Sequence, residues 1–337
     1  MEKLTYLDLF CGIGGFRIAA NNVFNKKEIE ATCIFSSDID PDAQVSYEAN
    51  FGQKPCGDIR AISASEIPDH DLLFAGFPCQ PFSIMGSLRG FEDTRGTLFF
   101  EIVRVLAEKK PKAFVLENVK QLVGHNEGRT LNHILNVLTQ LGYQVDYRVL
   151  NALHFGLPQK RERVFIVGFL ESTYYQWPHK FIPMRSLEEI LELEVAVSYV
   201  ASDLIKNNRL AKHAKINHQR TIWHENKGGH ISAYPFSCAL RAGASYNYLL
   251  VDGERRLTER EMLRLQGFPD DYKITCGYSA MRKLAGNSVA IPVVEAVLES
   301  VINAMLLCQP YKLKMLQSSF TLAENQPQIE FTLTQKD

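Results

Sequence analysis

The stretch Asp71-Leu72-Leu73-Phe74-Ala75-Gly76-Phe77-Pro78-Cys79-Gln80-Pro81-Phe82-Ser83 decides how this 337-residue chain reads. It opens as an apolar run of strand length, breaks at Gly76 and Pro78, and presents a thiol at the break. Pro78 fixes φ and removes a backbone donor, so the chain is stiff where it enters Cys79. A side chain at the carboxyl end of a buried strand stands at the mouth of an open α/β sheet, where ligands of such folds bind. Most free cysteines are simply buried. Flanking prolines and the polar Gln80 and Ser83 are poor company for a packed thiol and point to a nucleophile. From Ile84 to Gly96 the chain carries Gly86, Gly90 and Gly96 with Arg89 and Arg95, the composition of a mobile basic loop.

Upstream, Thr5 to Phe10 is a strand pattern running into Cys11-Gly12-Ile13-Gly14-Gly15-Phe16, with a helix predicted from Phe16 to Phe24. A glycine turn at a helix N-terminus lets backbone approach a ligand closely, although a plain tight turn has the same residues. The third glycine comes too soon for a dinucleotide-binding GxGxxG. A second strand, Ala31 to Ser36, leads to Ser37-Asp38-Ile39-Asp40, and Gly57-Asp58-Ile59 repeats the acid-then-apolar pattern. Acids so placed either bond ribose hydroxyls or cap helices, with Asp40-Pro41 a good capping pair. Three such sites in strand-end register, with no phosphate-cradling lysine motif, favour an adenosine-containing ligand of the S-adenosylmethionine type.

Downstream, Thr97 to Lys109 has the apolar stripe of an amphipathic helix. Ala113 to Leu116 is a strand pattern ending at Glu117-Asn118-Val119, where a desolvated carboxyl would either hold a proton for transfer or cap the next segment. A helix over Arg129 to Leu141 and strands over Gln144 to Leu150 and Val164 to Val167 follow. Alternation in an extended segment puts Arg161 and Arg163 on one face, to pair with Glu117 or an anion, or to be solvated.

The formal net charge of −1 requires any nucleic-acid binder of this composition to concentrate its positive charge locally. After about Arg185 it does so: Lys206, Arg209, Lys212, Lys215, Arg220 and Lys227 stand with four histidines against Glu225 alone between Lys206 and His230. Lys and Arg serve phosphates, and Asn, Gln and Arg read base edges. Ser237 to Tyr248, with Arg241, Ser245 and Asn247, forms a second contact segment. The histidines lack metal-ligand spacing and no cysteine joins them, so no metal is expected. Seven cysteines, odd in number and never as CxxC, point to a reducing compartment. Without a leader pattern or an apolar run near membrane length, the expectation is a soluble cytoplasmic protein.

Taken in order, these stretches resemble the DNA (cytosine-5) methyltransferases, in particular the bacterial modification enzymes. The likeness rests on Asp8 to Gly15, Gly76 to Ser83, Arg95-Gly-Thr97, Glu117-Asn-Val119, Gln159-Lys-Arg-Glu-Arg163, Arg256 to Glu261 with Leu265 to Pro269, and Gly286-Asn-Ser-Val289. It implies a Rossmann-like α/β methyltransferase sheet with a smaller, irregular target-recognition domain. The catalytic and cofactor-binding domain would span 1–190 and 287–310. The recognition domain would span 191–258, with a motif-bearing hinge at 259–286 and a tail at 311–337.

The resemblance also implies roles. Cys79 adds to carbon 6 of a cytosine flipped out of duplex DNA, as a thiolate whose pKa nearby donors or positive charge lower. Glu117 serves ring N3, and Arg163 with Arg161 beside it binds O2. S-adenosyl-L-methionine is held by Phe10, Gly12, Gly14, Gly15, Asp38, Ile39, Asp58, Ile59, Gly76, Pro78, Leu98, Asn287 and Ser288. DNA contacts fall to Ser83, Arg95, Lys215, Arg220, Lys227, Arg241, Ser245 and Asn247, and the segment from Ser83 to Gly96 closes as a lid. Many relatives carry Glu and a larger aromatic where this chain has Asp38-Ile39, which predicts weaker cofactor affinity. The expected partner is double-stranded DNA in the nucleoid, met as a monomer, and the modification-enzyme reading leaves open whether a cognate restriction endonuclease accompanies it. A transfer-RNA-methylating branch shares the Pro-Cys-Gln core, but its Cys-Phe-Thr signature is absent here.

Overall fold

The computed structural model describes residues 3–78, 98–179, 181–212 and 220–306. Cys79, Ser83, Arg95, the predicted lid and Lys215 lie outside the described residues.

Strand β1 (Leu4–Leu9) feeds helix α1 (Gly15–Lys26), β2 (Ala31–Ser37) feeds α2 (Pro41–Phe51), and β3 (Leu72–Gly76) ends just before Phe77-Pro78. Helix α3 (Leu98–Lys109), β4 (Ala113–Val119), a short α4 (Gln121–Gly124), α5 (Arg129–Gln140), β5 (Gln144–Asn151), β6 (Gln159–Lys160) and β7 (Glu162–Phe169) complete the first half. The sheet order is β2-β1-β3-β4-β7-β5. Strands β1 to β4 are parallel, and β7 runs antiparallel to both β4 and β5. Because β2 and β3 lie on opposite sides of β1, their connections leave in opposite directions and open a crevice at the carboxyl ends of β1 and β3. Phe77 and Pro78, which precede Cys79 in the sequence, stand at that crevice.

Both faces of the sheet are covered, which is why its central strands read as apolar runs. Tyr6 and Phe74 face Phe16, Ala20 and Val23 of α1, together with Val294 and Val297. Leu7, Leu73 and Leu116 face Ile102 and Leu106 of α3 and Leu131, Ile134 and Leu138 of α5. Each such side chain, once fully buried, contributes about 1.5–3 kcal/mol. Asp40 caps α2 by accepting the Asp42 N–H at 3.0 Å, with Pro41 at the first helical position.

The second half holds α6 (Asp203–Lys212), β8 (Ile222–Glu225), β9 (Ile231–Tyr234), β10 (Ser237–Cys238), β11 (Leu249–Val251), α7 (Glu259–Gln266) and α8 (Tyr278–Asn287). A helical run over 291–306, α9, follows. Strands β11-β8-β9 form a small antiparallel sheet, while β10 pairs in parallel with β6. A separate core gathers Leu187, Ile222, Leu240, Leu249, Met262 and Ala285, so α7 and α8 pack with these short strands. Thr258 and Glu261 form the capping box that starts α7, and Gly267 ends it in the left-handed region. The stretch Tyr278–Leu306 is long and apolar enough to cross a membrane, but Val294, Val297 and Val301 are wholly buried in the first core.

Three expectations change. Strand β4 runs on to Val119, so Glu117 sits inside the ladder, paired with Gly76 on one side and Phe165 on the other, and not at a strand tip. Strand β7 starts at Glu162, two residues earlier than predicted. The basic region is not one-signed in space: folding brings Glu254 to Lys206 at 3.4 Å and Asp252 to Arg220 at 3.5 Å, while Arg209 is buried against Glu225 at 3.0 Å. Glu254 and Asp252 come from positions the local sequence count left out, whereas Glu225 lies within it.

Beneath the glycine turn, Asp8 is fully buried, and its Oδ1 has no hydrogen-bond partner among the described residues. The Tyr47 hydroxyl donates to Oδ2 at 3.4 Å. Burial pushes the Asp8 carboxyl well above the usual carboxylate range, with the Arg17 guanidinium opposing the shift. The folded state therefore keeps a proton that the unfolded chain releases near pH 4, and stability from this group is lost as pH rises above that. Asp8→Asn removes the ionisation. Thermal unfolding from pH 5 to 8 is expected to show the variant gaining on wild type as pH rises, and a constant gap contradicts this.

Candidate active site

One cavity of about 740 Å³ opens in the crevice, a volume typical of sites for ligands larger than a metabolite fragment. Its walls come from segments spread along most of the chain. Phe10, Gly12 and Gly15 border it from the β1–α1 turn, and Asp38 and Ile39 from the end of β2. Asp58, Ile59, Gly76, Pro78 and Leu98 line the middle. Glu117, Arg161, Arg163, Asn287 and Ser288 close the far side. These are the predicted catalytic and cofactor-binding residues, with two exceptions. Cys79 lies outside the described residues, next in sequence to Pro78 on the wall. Gly14 stands behind the wall, at φ 81°, where a Cβ would lie 2.2 Å from the Phe51 ring.

The half of the cavity at the ends of β1 and β2 is built largely from backbone. Asp38 accepts the Gly12 N–H at 2.7 Å and the Asp40 N–H at 2.8 Å, so its carboxylate locks the glycine turn to the end of β2. Burial raises its pKa against those two hydrogen bonds. Ile39 is 64% exposed although it is a large hydrophobe, and it presents that surface to the cavity. Gly15 allows α1 to start against residues 288–289: a Cβ there would lie 2.7 Å from Val289 Cγ2 and 2.9 Å from Ser288 Oγ. Asp58 stands on the cavity wall, and its side chain is also engaged locally. Its carboxylate caps a short helical turn through the Arg60 N–H at 3.0 Å and is held by the Arg60 guanidinium at 2.6 Å. The capping alternative describes that carboxylate.

The other half is electrostatic. Arg163 Nε lies 3.0 Å from Glu117 Oε1, an ion pair outside hydrogen-bond alignment. Burial raises the Glu117 carboxyl above its ordinary range, opposed by Arg163 and then Arg161. Arg161 and Arg163 part company. The Arg161 guanidinium is turned to carbonyls, donating to Gly286 O at 3.2 Å and Ser288 O at 2.5 Å, and only Arg163 pairs with the carboxylate.

Asn118 was not singled out in the sequence, although it stands inside Glu117-Asn118-Val119. Its amide donates to Phe77 O at 3.0 Å and ties β4 to the chain entering Cys79. Asn and Gln favour such backbone ties when buried at strand ends, which was the available signal.

A second cavity of about 520 Å³ lies in the second half of the chain, bordered by Lys227, Arg241, Ser245 and Tyr248. Arg241 borders both cavities. Its guanidinium stacks 4.8 Å above the Tyr248 ring, and its backbone N–H donates to the Tyr248 hydroxyl at 2.8 Å. Asn247 offers its carbonyl to Arg209, and Arg220 is paired with Asp252. Among the described residues no cluster of His, Cys, Asp and Glu has the arrangement of a metal site.

The chain matches the family described as C-5 cytosine-specific DNA methylase over residues 4–303. It belongs to that family. The methylase is 58% identical over 292 residues to the type II methyltransferase M.NgoBI of Neisseria gonorrhoeae, covering 86% of this chain and 90% of that one. It is 53% identical over 307 residues to M.HaeII of Haemophilus aegyptius, covering 90% and 95%. The S. pombe Dnmt2 methyltransferase superposes with a TM-score of 0.69 at 23% identity, covering 92% of this chain and 99% of that one, a likeness of fold. The methylase is thus a DNA (cytosine-5) methyltransferase, and methylases of this fold take their methyl group from S-adenosyl-L-methionine.

Proposed function

We propose that the 740 Å³ cavity takes S-adenosyl-L-methionine in its β1–β2 half and a cytosine flipped from duplex DNA in its β4–β7 half. The observation carrying this reading is that one cavity joins the Asp38–Ile39 end to the Glu117–Arg163 pair. The fit is physical: a carboxylate and an exposed apolar side chain suit a ribose and an adenine, and the glycine turn admits close backbone approach. When bound, the cofactor supplies an electrophilic methyl group. The chain's own residues prepare the ring to receive it.

Glu117, its proton favoured by burial, donates to ring N3, and Arg163 holds O2. The Cys79 thiolate then forms a bond to carbon 6, and the ring's electron pair becomes available at carbon 5. After methylation, loss of the carbon 5 proton restores the double bond and breaks the carbon–sulfur bond, freeing Cys79. Arg161 acts from the wall behind Arg163. Lys227, Arg241 and Ser245 would meet the DNA around their cavity, with Arg220 and Asn247 nearby. Ser83, Arg95 and Lys215 would contribute from outside the described residues. The likeness to type II methyltransferases supports a role as the modification partner of a restriction endonuclease, acting on cytoplasmic DNA.

With labelled S-adenosyl-L-methionine, the protein is expected to label duplex DNA, with transfer RNA at least 100-fold slower, a ratio of about 3 kcal/mol at 1.4 kcal/mol per tenfold. Preferential labelling of transfer RNA would reject the reading.

A further inference from the structure

We propose that Arg161 is a positioning residue that fastens the recognition segment 240–242 to the cofactor wall 286–288, so that DNA and cofactor binding are coupled through it. This rests on the reading that residue 241 faces DNA and residue 288 faces the cofactor.

The Arg161 side chain is 2% exposed. Its guanidinium donates to Leu240 O at 3.4 Å, to Gly286 O at 3.3 and 3.2 Å, and to Ser288 O at 2.5 Å. Three carbonyls from two remote segments are thus gathered on one planar fork, and a lysine ammonium has neither that span nor that plane. The same two segments also touch directly. A Cβ on Gly286 would lie 2.6 Å from Ala242 N and 3.0 Å from the Arg241 carbonyl carbon. Two residues before Arg161, Gln159 repeats the device: its Oε1 accepts the Leu240 N–H at 3.2 Å, and its Nε2 donates to Leu265 O at 2.7 Å. Two residues after it, Arg163 carries the ion pair to Glu117.

A buried guanidinium with no ion-paired carboxylate among the described residues is a costly way to fill space, since desolvation opposes the charge. Burial holds its pKa down at about 9. An apolar side chain of similar volume would pack there at less cost. What the fork adds is a fixed separation between the loop that meets DNA and the wall that meets the cofactor. A shift of Leu240–Ala242 on DNA binding is passed to Ser288 through these bonds, and by reciprocity cofactor binding sets the loop.

The test uses the full-length wild type, Arg161→Lys and Gly286→Ala. Calorimetry gives the affinity for sinefungin, a non-reacting analogue of the cofactor, alone and with a saturating DNA duplex that the wild type methylates. The DNA affinity is measured with and without sinefungin. The wild type is expected to show mutual tightening by one factor, within the 5- to 150-fold range usual for coupled sites. In both variants that factor is expected to fall to within twofold of unity. A factor preserved in both variants overturns the proposal, whether single-ligand affinities stay or fall, since a direct ligand contact or a purely structural role would leave the ratio intact. Should Arg161→Lys fail to fold, Gly286→Ala decides alone, because it moves the loop and leaves Arg161 in place. A wild type that binds both ligands independently also overturns it. A wild type that binds no sinefungin sinks the cofactor reading instead.

Discussion

Cys79→Ser lowers the single-turnover rate of methyl transfer to duplex DNA by about 10⁵-fold, the scale on which removal of an essential nucleophile acts. The bond to carbon 6 requires an anion of high nucleophilicity, and a thiol ionises far more readily near neutral pH than a serine hydroxyl. The fold gives the substitution its context. Strand β3 delivers Phe77 and Pro78 to the cavity wall, three residues after the Gly76 that pairs with Glu117 the next side chain is Cys79, and no other cysteine follows a wall-lining proline. Rapid-quench measurement with labelled cofactor reads the rate directly. A serine variant within tenfold of wild type would show that the reaction proceeds without the sulfur.

Glu117→Gln is expected to lower the same rate by about 10³-fold, within the usual span for general acid catalysis. The amide keeps the shape but cannot donate a carboxyl proton to N3. Arg163→Ala is expected to cost a comparable factor, because the guanidinium lies 3.0 Å from the carboxyl and, on the proposed reading, also meets the base. The pair acts as a unit, so the double variant should be scarcely slower than either single one. Full additivity in that cycle would mean the two side chains serve separate steps. Glu117→Ala is the poorer probe, since it leaves Arg163 half-enclosed without its partner and destabilises the fold.

Local features were legible in the sequence because their causes are local. The Asp40-Pro41 cap and the apolar run of β3 each depend on residues within one turn or one strand. So did the ordered motifs that brought Phe10, Asp38, Gly76, Glu117 and Ser288 to one cavity. What failed were inferences about partners. Arg161 was grouped with Arg163 by alternation, but its carbonyl partners lie 79, 125 and 127 positions away. No local pattern marks such a bond. The basic region looked one-signed for the same reason, since Asp252 neutralises Arg220 from across the β8–β11 pairing. Glu117 was placed at a strand tip because the apolar run stops there, whereas the ladder is extended by pairing with β7 on its far side. The segment holding β8 to β11 was the least legible, its strands being too short for period-two alternation to register.

The most direct measurement is incubation of the protein with S-adenosyl-L-methionine and a DNA duplex carrying 5-fluorocytosine at the methylated position. Fluorine replaces the proton whose departure frees the sulfur, so a protein that attacks carbon 6 is held on the DNA. A denaturation-resistant complex is expected, with the nucleotide mapped by mass spectrometry to the peptide containing Cys79. Unmodified Cys79 in a protein that still methylates the ordinary duplex would contradict the account.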